Sequence, residues 1–304
     1  NAIIIGREAG RGAMTSDADG AVAIGYLALT ALTEGQYNVA IGEGGGAAIT
    51  TGDSNTILGW KAGKSHQTGD KNVVIGDSAM YSQSHASTDQ NVAIGSAAMV
   101  GGSGQISNSI AIGCQAMDGT GTIGGGDNIF IGLNSGGGSW ATAASSYNVA
   151  VGNATMDAAM NAATYNTVLG HGAGSAITSG DNNTLLGAGA GAALTDAQGN
   201  VAIGKNALNA AEDSEDYNIA IGHSSMLVLT SDAAHHNIGI GYWSLKGGAS
   251  VGEHNVAIGY NTLASASMAV GDTIAIGQSA LTALTTGAYN VAIGYKAGEA
   301  LTTG

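Results

Sequence analysis

Along this chain the apolar residues come in short bursts, each closed by a glycine and followed by small and polar residues. The segment YNVAIGEGGGAAITTG at Tyr37–Gly52 returns nearly unchanged as YNVAIGYKAGEALTTG at Tyr289–Gly304, and weaker copies fill the interval. Glycines that follow an aliphatic residue anchor 17 copies, beginning Gly6, Gly25, Gly42, Gly59 and ending Gly277, Gly294. Sixteen steps separate Gly6 from Gly294, a mean of 18 residues, and single steps run from 17 to 20. A fixed period of this size is the signature of a solenoid, in which one repeat supplies one coil.

Counting from the anchor, position −1 is Ile, Leu or Val in all 17 copies, and position −3 is always Val, Ile or Thr. Such residues favour an extended, pleated chain, which predicts a short strand before every anchor. Position −2 is Ala in ten copies and otherwise Ile4, Ile57, Val74, Phe130, Val168, Leu185 or Gly239, never a polar side chain. Successive strand side chains point to opposite faces. A strand with one wet face alternates apolar and polar residues, so this pattern asks for burial on both faces. The interior of the coil accounts for one face, and a second copy of the chain is the expected cover of the other. On that view Ala257→Glu should loosen the assembly.

Position −4 is Asn in 13 copies, including Asn38, Asn183 and Asn290. Stacked amides both donate and accept, so the column reads as a structural ladder rather than a line of ligands. After the anchor come a variable pair, a small residue, and then Leu or Met in ten copies or Gly in seven, read as a second short strand or turn. The remaining Thr, Gly, Asp and Ser carry turn chemistry. The expected fold is all-β: a parallel β-solenoid of about 17 coils, one continuous array over residues 1–304.

Composition removes several function classes. There are 52 Gly but no strict every-third pattern, which excludes collagen, and the regular Ile, Val, Leu and Ala exclude disorder. The formal charge of −14, from 8 Lys+Arg and 22 Asp+Glu, offers no cationic patch for nucleic acid. A single cysteine, Cys114, excludes an intrachain disulfide framework. No run of about 18 apolar residues predicts a transmembrane helix, so no membrane insertion is expected in this segment. The chain opens on Asn1 and stops within a repeat at Gly304, and is read as a piece of a longer fibre protein.

Catalytic and metal chemistry find little support. His66, His85, His171, His223, His235, His236 and His254 read as falling at unrelated repeat positions, and the adjacent His235–His236 as a solvated loop pair. Calcium needs roughly six to eight oxygens on a shaped loop. Neither the EDSED run, Glu212–Asp216, nor the single GGGD at Gly124–Asp127 supplies a repeated motif of that kind. The glycine-rich Gly187–Ala193 precedes no helix that could cradle phosphate. The acidic residues scatter through loops without an insertion to house a pocket, so no enzyme, cofactor or metal is expected. Tyr26, Trp60, Tyr242, Tyr260 and Tyr295 follow their anchors directly, and Trp243 stands one residue further on. These six are the candidate receptor contacts; the competing structural role is to cover coil edges or subunit seams.

The phrase Asn-Val-Ala-Ile-Gly, at Asn38–Gly42, Asn91–Gly95, Asn200–Gly204, Asn255–Gly259 and Asn290–Gly294, resembles the YadA-like head repeat of trimeric autotransporter adhesins. The resemblance implies a left-handed β-roll of three identical chains packed side by side. The longer spacing between anchors, as in Tyr26–Asn38, resembles repeats of bacteriophage tail and side fibres. Together these imply an extracellular homotrimeric fibre, a tail fibre shaft or head that attaches to a host glycan or protein. The alternatives are a bacterial cell-surface adhesin and, from another class, a β-solenoid polysaccharide depolymerase.

Overall fold

The structure is a computed structural model that describes all residues except 16–17, 85–87, 141, 211–215, 230–233, 248–250 and 266–268. The described residues are strands and turns, with no helix that could cross a membrane. The fold is a parallel β-solenoid whose chain forms two compact units, residues 1–154 with 158–162, and residues 155–157 with 163–304.

The first unit holds β1 (Ile3–Ile5), β2 (Val22–Ile24), β3 (Val39–Ile41), β4 (Thr56–Leu58), β5 (Val73–Ile75), β6 (Val92–Ile94), β7 (Ile110–Ile112), β8 (Ile129–Ile131) and β9 (Val149–Val151). The second holds β10 (Thr167–Leu169), β11 (Thr184–Leu186), β12 (Val201–Ile203), β13 (Ile219–Ile221), β14 (Ile238–Ile240), β15 (Val256–Ile258), β17 (Ile274–Ile276) and β19 (Val291–Ile293). In each unit these strands pair in chain order, parallel and in register, as Val201↔Ile219, Ala202↔Ala220 and Ile203↔Ile221 show. Nine rungs enclose eight turns and eight rungs enclose seven, so the expected 17 coils are 17 rungs around about 15 turns. β16 (Ala269–Gly271) and β18 (Thr286–Ala288) add a small parallel pair on another side of the last coils. The segment directly after each anchor is a turn, of the two forms the pattern left open.

Position −2 faces the coil's own interior: Ala23, Ala93, Ala202 and Ala257 have no exposed surface. The Ala column is thus enclosed by its own chain, and Ala257→Glu would place its charge inside a coil rather than at a seam between chains. The interior is narrow, and its volume is shared with position +4. Where −2 is Ala, +4 is usually large, as in Ala93 with Met99, Ala111 with Met117 and Ala202 with Leu208. Where −2 is large, +4 is Gly in five of six copies, Val74 with Met80 being the exception: a Cβ on Gly136 would lie 2.7 Å from Phe130 Cδ1, and one on Gly191 2.8 Å from Leu185 Cδ2. Close packing leaves little room for two large side chains.

Position +4 is also left-handed throughout the described coils, with φ of 47° at Leu29 and 53° at Met99. A non-glycine residue there is held at a cost of about 1–3 kcal/mol. The backbone offsets it: the Leu29 N–H reaches the Gly45 carbonyl of the next coil at 3.0 Å, while Lys61 N–H at left-handed position +2 reaches back to Glu43 O at 2.8 Å. Alternating handedness aims successive N–H groups at opposite neighbours, which satisfies a turn that would otherwise bury unpaired donors.

The Asn column is a buried ladder. Asn55 donates its backbone N–H and its Nδ2 to Asn38 Oδ1, each at 3.0 Å, and Nδ2 also reaches the Gly69 carbonyl at 2.9 Å. The pattern continues through Asn72 and Asn91 in the first unit and from Asn166 to Asn255 in the second. A parallel ladder runs at position −6, where Asp53, Asp70 and Asp89 accept the N–H of Gln36, Asp53 and Asp70 at 2.6, 2.7 and 2.9 Å. Several of the acidic residues therefore cap backbone donors between coils.

Position +7 fills the interior with Leu32, Ile49, Ile177, Leu194 and Leu284, but the fourth and fifth coils place His66 and Gln83 there. His66 Nε2 lies 3.0 Å from the Gly69 carbonyl, whereas Nδ1 is buried without a hydrogen-bond partner. Burial pushes the His66 pKa below its ordinary 6.5, against smaller opposing contributions from the Gly69 carbonyl, Asp89 and Asp70. The folded chain then takes up a proton less readily than the unfolded one. Its stability contribution is intact above about pH 6.5 and falls as pH drops from there toward the depressed folded pKa. His66→Leu should flatten this slope, so that the wild-type midpoint for urea unfolding drops more between pH 7.5 and pH 5.5 than the variant's.

Candidate interaction surface

Because −2 points inward, positions −3 and −1 point outward. The 34 residues at these positions in 17 copies are Val, Ile or Leu except for Thr56, Thr167 and Thr184, and none is charged. They are half-buried or exposed, with Leu169 at 46% and Leu186 at 42%. With rungs about 4.8 Å apart and strands roughly 10 Å long, each unit presents an apolar strip on the order of 300–400 Å². An apolar patch of this size is often functional, and here it runs as an unbroken uncharged line. The face that needs a cover is therefore the pair of β-branched and aliphatic columns, not the Ala column.

Two columns of variable side chains border the strip. Position +1 carries five of the six aromatic candidates. Tyr242 and Tyr260 stack on successive coils at 5.5 Å and 8°, Trp243 packs on Tyr242 at 4.6 Å, and Lys246 Nζ lies 4.5 Å above the Trp243 ring. Their cohesion follows from the period: residues one repeat apart fall on one line, spaced by one rung. Tyr26, Trp60 and Tyr295 are not brought into this cluster. Each is instead capped by a cation, with Arg7 Cζ 4.4 Å from Tyr26, Lys61 Nζ 3.9 Å from Trp60 and Lys296 Nζ 5.7 Å from Tyr295. Cation–π contacts at exposed sites contribute about 0.5–1 kcal/mol and hold the ring in place.

The cluster has a member that the residue pattern did not single out: His223, stacked on Tyr242 at 5.3 Å. Position −5, before the Asn column, forms a second stack of Tyr217, His236 and His254, with successive centroids 5.4 Å apart. The histidines are thus not at unrelated positions. His236 and His254 share position −5 on neighbouring coils, and the signal was their common place directly before an Asn. The adjacent His235 and His236 rings meet edge to face, at 6.3 Å and 64°, and His235 Nδ1 accepts the Asp216 N–H at 3.1 Å. His85 and residues 212–215 of the EDSED run lie outside the described residues. In the GGGD segment, Asp127 accepts a hydrogen bond from Asn108 Nδ2 at 3.1 Å, an inter-coil tie.

No family model matches this chain, and no curated protein matches it.

Proposed function

We propose that this chain is a segment of a non-enzymatic, extracellular, homotrimeric fibre, the shaft or head of a bacteriophage tail fibre that holds attachment side chains toward a host surface. The observation that carries the reading is the uncharged outward strip. Parallel sheets are normally covered on both faces, and here one cover is the coil itself while the other is another copy of the same strip. Three copies are what the resemblance to YadA-like head repeats implies, and the long period is what favours a phage fibre over a bacterial surface adhesin.

Attachment is assigned to the border columns, because the strand columns are committed to packing. Tyr242, Trp243 and Tyr260 form a rigid aromatic surface suited to stacking on a sugar ring or a protein side chain, and three copies would repeat it. Weak contacts then add through multivalency rather than through one pocket. Alanine at any one of the three should change binding to host cells or their glycans by less than about threefold, while all three together should reduce it roughly tenfold or more. Abolition by a single substitution would point to a discrete receptor pocket. Unchanged binding after replacing these three with Tyr26, Trp60 and Tyr295 would reduce this segment to a spacer.

A further inference from the structure

We propose that His236, Glu253, His254 and Asp272 form a binding site for a divalent transition-metal ion, of which zinc is the representative. One ring nitrogen each from His236 and His254 and one Glu253 carboxylate oxygen lie within 4.8 Å of one another. His254 Nδ1 is 3.5 Å from Asp272 Oδ1 and 3.8 Å from Glu253 Oε2, so Asp272 can swing in from the next coil as a fourth ligand beside the three that are already gathered. The ligands come from three successive coils. His236, His254 and Asp272 all occupy position −5, and all are left-handed, with φ of 58°, 58° and 49°. That backbone state turns each side chain out of the coil along the same line, so residues 18 apart in sequence become neighbours in space. All four side chains are exposed and can reorient.

Zinc binds imidazole nitrogen and carboxylate oxygen at about 2.0–2.2 Å, which in a tetrahedron sets the ligand atoms roughly 3.4 Å apart. For His236, Glu253 and His254 the present separations need side-chain adjustments of about an ångström, and Asp272 a larger one, within the reach of exposed rotamers. Two imidazoles with two carboxylates select zinc, nickel or copper over calcium, which prefers an all-oxygen shell of higher coordination number. A bound ion would add, on the outer surface, a tie between coils that the buried Asn237–Asn255 ladder already links inside.

The test is calorimetric titration of the whole chain with zinc chloride, and separately with calcium chloride, for the wild type, His236→Ala/His254→Ala, and Glu253→Gln. The expected result is one zinc per chain in the wild type, at least tenfold weaker in the double variant, weaker in Glu253→Gln, and no competition from calcium. Cobalt substituted for zinc should give the intense visible absorption of a four-coordinate site, lost in the double variant. Since both histidines are exposed, the variants should keep the wild-type circular dichroism spectrum, which separates loss of a ligand from loss of the fold. Absence of zinc binding by the wild type, or equal affinity in the double variant, would overturn the proposal and leave the His236–His254 pair as an aromatic stack only.

Discussion

Gly187→Ala should destabilise the second unit by about 3 kcal/mol or more, whereas Gly172→Ala, fifteen residues earlier, should cost only about 1 kcal/mol. Conformation separates them first: +63° at Gly172 is the left-handed state that Leu27 and Lys61 adopt at the same repeat position, whereas +137° at Gly187 is a state only glycine adopts readily. Space widens the gap. A Cβ on Gly187 would sit 2.6 Å from both the carbonyl carbon and the oxygen of Gly204 on the next rung, while one on Gly172 would meet nothing within 4 Å. Backbone cannot swing aside as a side chain can, so the rungs themselves would have to part, and β11–β12 pairing would go with them. Urea unfolding followed by circular dichroism reads the difference. Equal midpoints for the two variants would mean that neither the backbone conformation of the anchor nor its approach to the next coil restricts the residue there.

Asn183→Ala should cost about 3–5 kcal/mol, because one side chain serves four hydrogen bonds between coils. Asn183 Nδ2 donates to Asn166 Oδ1 at 3.0 Å and to Ala197 O at 2.8 Å, and its Oδ1 accepts from the Asn200 backbone N–H at 3.0 Å and from Asn200 Nδ2 at 3.2 Å. Asn183 is fully buried, so its truncation leaves donors and a carbonyl unpaired away from water, which is where the loss of a hydrogen bond is most expensive. Asn183→Asp should be destabilising as well, since a carboxylate in that setting cannot donate and carries a buried charge. Its exposed neighbour Asn182, left-handed at φ 59°, should tolerate glycine with little change. Thermal unfolding of the three variants ranks these directly, and a mild Asn183→Ala would remove the ladder from the list of what holds coils together.

Much of this was legible before any coordinates. The strands sit where the β-branched residue, the aliphatic residue and the anchor glycine predict them, and the Asn column is the ladder its donor and acceptor chemistry suggests. What stayed hidden was which apolar column turned inward. Alternation tells two faces apart only when one is polar, and here Ala202 faces in while Val201 and Ile203 face out with nothing in polarity to distinguish them. Volume carried the missing signal: the trade between Phe130 and Gly136, or Ala93 and Met99, only makes sense for side chains that share one cavity. The left-handed states at positions +2, +4 and −5 were likewise unmarked, because Leu29, Trp243 and His254 are not residues that announce positive φ. For the same reason the cluster of Tyr242, Trp243, Tyr260 and His223, and the pairing of His236 with His254, emerged only once coils were stacked.

The mass of the chain in solution tests the account most directly. Sedimentation equilibrium of the wild type should give three times the mass of one chain, and Ile203→Asp/Ile221→Asp, which puts two charges on the outward strip while leaving the coil interior untouched, should shift that mass toward one chain with circular dichroism unchanged. A wild type that sediments as a single chain across the concentration range would contradict a fibre built by packing these strips together.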